Sequence, residues 1–110
     1  MAKLQRDLES ELLFAIQAAG LPVPVHGYKF WPGRRYEFDF AWPHLMLALE
    51  CEGGSWVDGA HVRGAHFESD CVKYSEAAVR GWRLIRVTAA MIDDGRALSL
   101  VARALKGAEP

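Results

Sequence analysis

Residues 36–52 read YEFDFAWPHLMLALECE, and this stretch decides the fold. It holds two short, mostly apolar runs, 36–42 and 45–52, which are separated by Pro43 and His44. Two runs of this length and composition on either side of a tight turn are typical of an antiparallel pair of strands. The stretch therefore predicts a β-hairpin in the middle of the chain.

Side chains alternate between the two faces of a strand. Strict alternation gives the first run an aromatic face of Tyr36, Phe38, Phe40 and Trp42, and an opposite face of Glu37, Asp39 and Ala41. A turn centred between His44 and Leu45 places Asp39 directly across from Glu50. Opposed like charges destabilise a sheet unless a cation lies between them. The two carboxylates therefore predict a divalent metal site.

Length, composition and charge bound the class of protein. At 110 residues with 51% hydrophobic residues, the chain is expected to form one domain, 1–110, with its own core. A net charge of -1 argues against an abundant non-specific nucleic-acid binder, so a nucleic acid would need a local basic patch or a bridging metal. Cys51 and Cys71 are expected to be free thiols in a reducing compartment.

No apolar signal segment opens the sequence, and no apolar run is long enough to span a bilayer. We therefore expect a cytoplasmic protein without a membrane partner.

Hydrophobic periodicity and the positions of Gly and Pro predict an α/β domain, a small mixed sheet flanked by helices. Helices are expected at about 2–19, 66–80 and 89–106, and strands at 28–31, 36–42, 45–52 and 82–87. The second helix is expected to turn Phe67, Cys71, Tyr74 and Ala78 inward. The last strand, which follows a helix, is expected to run parallel to the strand before it.

Several short motifs occur in order along this framework. They are FDFAWP at 38–43, LECEGG at 49–54, HVRG at 61–64, DCVKY at 70–74, GW at 81–82, and Arg86. Together they resemble the PD-(D/E)XK restriction-endonuclease-like nuclease superfamily, in particular its small phage-type and very-short-patch-repair-like endonucleases. The resemblance implies a core of helix, three-strand antiparallel meander, helix, parallel strand and C-terminal helix. It also implies a metal-dependent phosphodiesterase.

The chemistry of the residues agrees with that implication. Phosphodiester hydrolysis needs a hard cation, and Mg²⁺ usually takes one or two protein carboxylates and keeps its other positions for water and phosphate. Asp39 and Glu50 are the candidate ligands for Mg²⁺ or Mn²⁺. Cys51 points to the opposite face, so only its backbone carbonyl could reach the metal. The alternative is an exposed sheet face that carries unrelated acids.

Glu11 is a candidate third acid. On a helical wheel it falls beside Leu8 and Ala15, whereas Glu9 lies at the margin of the apolar stripe. The resemblance implies that a first-helix glutamate approaches the metal, and Glu11 matches that place. The alternative is a peripheral acid paired with an arginine.

The sequence departs from the superfamily pattern at Glu52, where a lysine usually handles the attacking water. Lys73, on the second helix, is the expected substitute, since some superfamily members carry the lysine on a neighbouring helix. Glu52 would then assist the catalytic water or a second metal. The alternative for Lys73 is a surface pair with Asp70 or Glu76.

The glycine-rich loop adds His61 and Arg63. Arg63 could clamp a substrate phosphate, and His61 could position or protonate the leaving group; a solvated loop histidine is the alternative. Lys29, Arg34 and Arg35 form a candidate DNA-backbone patch, with an ordinary solvated turn as the alternative.

A zinc site is also conceivable, because Cys51, His61, His66 and Cys71 occur within one segment. None of the usual Cys-x-x-Cys or paired-histidine spacings is present, which argues against it.

The sequence thus predicts a Mg²⁺- or Mn²⁺-dependent endonuclease that cuts DNA, by nicking or by double-strand cleavage. A domain of this size would cut both strands most easily as a homodimer. The alternatives are a non-catalytic nucleic-acid-binding module that keeps the nuclease fold, and a metal-stabilised interaction domain.

Overall fold

The computed structural model describes residues 6–53, 56–57, 60–61 and 66–107, and for 56–57 and 60–61 it describes the backbone alone. The helices are α1 (Leu8–Ala18), α2 (Phe67–Val79), α3 (Ala89–Asp93) and α4 (Arg96–Gly107), with a 3-10 turn at Pro43–Leu45. The strands are β1 (Val25–Lys29), β2 (Glu37–Trp42), β3 (Leu47–Glu52), β4 (Trp56–Val57), β5 (Ala60–His61) and β6 (Arg83–Thr88).

Four strands form the main sheet, in the order β1-β2-β3-β6. β1, β2 and β3 pair antiparallel, and β6 returns parallel to β3 after α2. The predicted α/β core, with its meander, parallel strand and flanking helices, is therefore confirmed. A two-residue pairing of β4 with β5 was not predicted and lies where the sequence indicated a loop.

The sheet separates two hydrophobic clusters. The cluster on the side of α1 and α4 contains Leu12, Ile16, Phe40, Trp42, Leu47, Leu49, Val87, Ala97, Val101 and Leu105. The cluster on the side of α2 contains Phe30, Phe38, Ala41, Ala48 and Ala77, with Tyr28, Tyr36 and Trp82 packed against it. β2 and β3 contribute to both clusters, so the central hairpin is buried on both faces.

Strict alternation along β2 was wrong at one point. Phe38 packs in the α2-side cluster with Ala41, whereas Phe40 packs on the side of α1. The change of face falls at Asp39, whose register partner on β1 is Gly27, a residue with a φ of +69°. This left-handed conformation is readily adopted only by glycine and interrupts the regular backbone geometry of β1.

Three further expectations need correction. α1 begins at Leu8 and not near residue 2, because the Asp7 carboxylate caps it by accepting from Ser10 N–H. The last helix is broken into α3 and α4 at Gly95, where φ is +87°. β3 begins at Leu47 because the 3-10 turn precedes it.

The first strand is also shifted. It covers Val25–Lys29, starting directly after Pro24, and not 28–31.

The inward face of α2 also differs from the prediction. Ala77 is its fully buried residue, and Lys73 and Tyr74 are half-buried, whereas Phe67, Cys71 and Ala78 are exposed. The helix therefore directs polar side chains at the sheet. Within the described part of the chain, no helix combines the length and the apolar character needed to cross a membrane.

Candidate active site between β2 and β3

The site lies where the backbone pairing of β2 with β3 ends. The last regular partners are Phe40 and Leu49, so the next opposed residues are Asp39 and Glu50, as the sequence indicated. Here backbone N–H groups donate to the two carboxylates and not to backbone carbonyl groups. Glu50 Oε2 accepts from the Asp39 N–H at 2.8 Å, and Asp39 Oδ2 accepts from the Cys51 N–H at 2.8 Å. The paired strands thus hold both carboxylates in fixed positions.

Glu50 is the one buried charged residue in the described part of the chain, and it is 4% exposed. Its Oε1 accepts from Lys73 Nζ at 2.5 Å and from the Tyr74 hydroxyl at 3.0 Å. The Lys73 side chain is only 15% exposed. A buried carboxylate is tolerated when it is paired and hydrogen-bonded, and α2 supplies both partners.

Lys73 therefore reaches the sheet face, as proposed from the sequence. Its ion-pair partner is Glu50 and neither of the surface acids considered above, Asp70 and Glu76.

Asp39 carries a charge that its surroundings disfavour. Burial, together with the nearby charges of Glu50 and Glu9, raises the pKa of Asp39 to about 6, against the lowering effects of the Cys51 N–H and of Lys73. Asp39 and Glu50 thus share one ammonium group, that of Lys73, and the charge of Glu9 adds to the unfavourable potential at Asp39. An added cation would relieve this excess of negative charge.

A second layer of polar contacts supports Glu50 from the side of β6. The Arg86 guanidinium lies 4.4 Å from the centre of the Tyr74 ring and donates to Glu52 Oε1 at 2.9 Å. Burial and the neighbouring carboxylates raise the pKa of Tyr74, so the phenol stays protonated and donates to Glu50. The structure thus gives Glu52 an arginine partner, and its predicted role with the water stays a prediction.

Glu9, and not Glu11, contributes to the electrostatics of the carboxylate pair. Glu11 forms an ion pair with Arg6 at 2.5 Å, and Arg6 also pairs with Asp93. Glu9 pairs with His26 at 2.6 Å and contributes to the raised pKa of Asp39. The geometry therefore favours the peripheral alternative for Glu11.

The carboxylate pair fits a hard divalent cation. Across the described residues no three His, Cys, Asp or Glu side chains form a metal-binding group, and Asp39 and Glu50 are the two carboxylates that could hold such an ion. Two carboxylates are what Mg²⁺ commonly takes from a protein.

A structural zinc site, in contrast, needs four protein ligands. Cys71 is exposed on α2, and Cys51 is half-buried against the α1-side cluster, with a pKa that burial raises to about 12. The two cysteines therefore do not meet, which argues against the zinc alternative.

Two groups of predicted residues lie away from this centre. Arg63 and the side chain of His61 fall outside the described residues. Lys29, Arg34 and Arg35 are exposed at the β1–β2 hairpin, and none of the three has a carboxylate partner among the described residues.

Sequence reasoning missed Glu9 and Tyr74 as parts of the site. Glu9 lies in register with the buried residues of α1, at the spacing of Leu12 and Ile16, and this signal was obscured by the assumed early helix start. Tyr74 was read as a core residue, and nothing in the sequence distinguishes a core tyrosine from one that donates to a carboxylate.

No family model matches this chain. It is 30% identical over 113 residues to two uncharacterized proteins of Mycobacterium tuberculosis, Rv2248 of strain ATCC 25618 / H37Rv and MT2308 of strain CDC 1551 / Oshkosh. The match covers 94% of this chain and 38% of each relative, so the chain spans well under half of their length.

Among solved structures, the chain is similar to the catalytic domain of the homing endonuclease I-Bth0305I. The TM-score is 0.71 at 14% sequence identity, and the match covers 96% of this chain and 100% of that domain. The chain therefore has the fold of a homing endonuclease catalytic domain.

Proposed function

We propose that this domain is a metal-dependent endonuclease of the PD-(D/E)XK type that hydrolyses phosphodiester bonds in DNA. One observation carries the proposal: Asp39 and Glu50 are held opposite each other where two strands separate, and Lys73 reaches Glu50 from the neighbouring helix. The fold shared with a homing endonuclease catalytic domain supports it.

Asp39 and Glu50 would hold Mg²⁺ or Mn²⁺, with the Cys51 carbonyl as a further oxygen ligand. When bound, the ion would supply positive charge that neutralises the phosphate oxygens and makes a water molecule a stronger nucleophile. Glu9, whose charge contributes to the raised pKa of Asp39, would take the supporting role that the sequence predicted for Glu11.

The protein groups have separate tasks in this proposal. Lys73 presents its ammonium group beside Glu50, where it would orient the attacking water and compensate charge on the phosphate. Tyr74 holds Glu50 in place by its hydrogen bond, and Arg86 packs on the Tyr74 ring. Glu52 would act through Arg86, which it binds directly.

Contacts with DNA would come from the hairpin residues Lys29, Arg34 and Arg35, and from Arg63, with His61 near the leaving group. A homodimer would place two such centres on the two strands of a duplex.

The first test is incubation of supercoiled plasmid with the purified protein in Mg²⁺, Mn²⁺ or EDTA. We expect nicked or linear DNA with either metal and intact DNA in EDTA. Asp39→Asn, Glu50→Gln and Lys73→Met should each abolish cutting. Glu37→Gln is the matched control, because Glu37 is an exposed acid of the same strand and should cut like the wild type.

If the folded wild-type protein leaves plasmid, single-stranded and branched DNA intact with both metals, the catalytic proposal is wrong. Binding of DNA without cutting would then favour a nucleic-acid-binding module that keeps the fold.

A further inference from the structure

Two arginines that are distant in sequence meet over one tryptophan. The guanidinium carbon of Arg34, in the β1–β2 connection, lies 5.0 Å from the centre of the Trp31 ring. That of Arg80, which caps the end of α2, lies 4.9 Å from the same centre. Tyr36 stacks against Trp31 at 5.5 Å with an angle of 13° between the rings. The indole thus contacts two cationic side chains.

The surroundings of this pair are poor in negative charge. The connection 30–36 reads FWPGRRY and contains two arginines and no acid. Arg34 has no carboxylate partner among the described residues, and Arg80 has only Glu76, which approaches its Nε at 3.4 Å. Two positive charges that contact the same ring, with one carboxylate as their only described partner, favour the binding of an anion.

The pair also lies beside the candidate active site. Lys73 and Arg80 are seven residues apart on α2 and therefore share one face, separated by two helical turns or about 10 Å along the axis. The space beneath α2 between these two side chains is filled, because Ala77 and the stacked rings of Phe38 and Phe30 are buried. DNA would therefore approach Arg34 and Arg80 from the solvent side, where both arginines are exposed.

We propose that Arg34 and Arg80, ordered by Trp31, form a phosphate clamp for the backbone of duplex DNA. This inference rests on the proposed endonuclease function. Lys73 and Arg80 are offset by about 10 Å along the axis of α2, a length of a few base pairs at a rise of about 3.4 Å each along the duplex axis. The clamp would thus hold a phosphate a few nucleotides from the bond that is cut.

The geometry favours phosphate over a nucleotide base as the bound group. A base would need a free aromatic face on which to stack. Tyr36 and the guanidinium groups already contact the Trp31 ring. A guanidinium group, in contrast, presents parallel N–H donors that match two oxygens of one phosphate.

The test measures binding apart from cutting. Fluorescence anisotropy of a labelled DNA duplex in EDTA, over a series of salt concentrations, gives both the affinity and its salt dependence. We expect Arg34→Gln with Arg80→Gln to weaken binding roughly tenfold and to reduce the slope of log K against log salt by about 0.9, the value for one lost phosphate contact.

Arg103→Gln is the matched control, because Arg103 is an exposed arginine of α4, on the other side of the sheet, and likewise has no carboxylate partner among the described residues. Thermal unfolding should show that all variants are folded. The double change Arg34→Lys with Arg80→Lys should retain most of the slope, because the charges remain.

An unchanged affinity and slope in the double glutamine variant would overturn the clamp, as would an equal loss in Arg103→Gln or no DNA binding by the wild type. Cutting of plasmid by a variant with wild-type binding would reject the clamp and leave the endonuclease proposal standing. If the wild-type protein never cuts DNA but the double glutamine variant binds DNA more weakly than the wild type, the clamp stands and the endonuclease proposal is rejected.

Discussion

Replacement of Asp39 by Asn should stabilise the metal-free protein. Burial and the charges of Glu50 and Glu9 raise the pKa of Asp39 from its usual 3.8 to about 6, so its ionised form is disfavoured in the folded state. Asn removes that charge and keeps an oxygen that can accept from the Cys51 N–H. Wild-type Asp39 thus reduces stability in the absence of a cation, as expected of a group selected for function.

The size of the effect follows from the pKa difference. Each pKa unit corresponds to about 1.4 kcal/mol, so the difference between the folded and unfolded pKa values of Asp39 corresponds to about 3 kcal/mol before solvent screening is considered. Since the Asp39 side chain is only half-buried, solvent screening reduces the expected gain to about 1–2 kcal/mol. For a chain of this length, that gain raises Tm by about 4–8 °C.

The pH dependence has a defined sign. The folded-state pKa of Asp39 lies above the unfolded value, so between about pH 4 and pH 6 the folded protein binds more protons at this site than the unfolded chain. Wild-type stability therefore falls as pH rises through this window. The advantage of Asp39→Asn should be complete above pH 6 and absent below about pH 4.

Urea unfolding in EDTA at about pH 7.5 and pH 4 measures both quantities. Glu37→Gln, an exposed change on the same strand, should alter stability by less than about 0.5 kcal/mol. Added Mg²⁺ should stabilise the wild type and not Asp39→Asn, because a cation that binds only the folded state adds its binding free energy. If Asp39→Asn is less stable than the wild type at both pH values, the electrostatic reasoning is wrong.

Three further predictions concern other parts of the fold. Lys73→Met should lower the free energy of unfolding in EDTA by about 3 kcal/mol, because it leaves Glu50 buried without its cation. Adding Glu50→Gln should recover part of the loss. An unchanged urea midpoint for Lys73→Met would contradict the ion pair. Alkylation near pH 8, followed by mass spectrometry, should label exposed Cys71 at least about tenfold faster than Cys51, whose pKa burial raises; equal rates would show that the Cys51 thiol is accessible. Gly27→Ala should reduce stability by about 1–2 kcal/mol because its φ of +69° is left-handed, and calorimetry that finds no change would argue against this backbone conformation at Gly27.

Local rules predicted the centre of the fold and the geometry of its acids. The opposition of Asp39 and Glu50 follows from side-chain alternation and from the position of the Pro43 turn, and both are properties of adjacent residues. The same rules failed at Phe38, which packs on the other side of the sheet from Phe40 at the point where Gly27 of the partner strand has a left-handed backbone. A pattern within one strand carries no information about such an irregularity in its neighbour.

The orientation of the helices was predicted less well, because an argument from apolar periodicity treats only apolar side chains as buried. On α2 the residues that meet the sheet include Lys73 and Tyr74, since a buried Glu50 requires a cation and a donor. On α1 the buried residues Leu12 and Ile16 set the rotation of the helix, so Glu9 falls on the buried side and acts on Asp39 electrostatically, while Glu11 pairs with Arg6.

By itself, the sequence determined the order of the elements, the central hairpin and the facing carboxylates, because these depend on short-range periodicity and turn chemistry. Only the tertiary structure decided that Lys73 and Tyr74 bind Glu50, that Glu52 binds Arg86, and that Arg34 and Arg80 meet on Trp31. The physical reason is that these contacts join residues far apart in the chain. Their geometry depends on how each helix is rotated and placed against the sheet, which the packing of the whole domain sets.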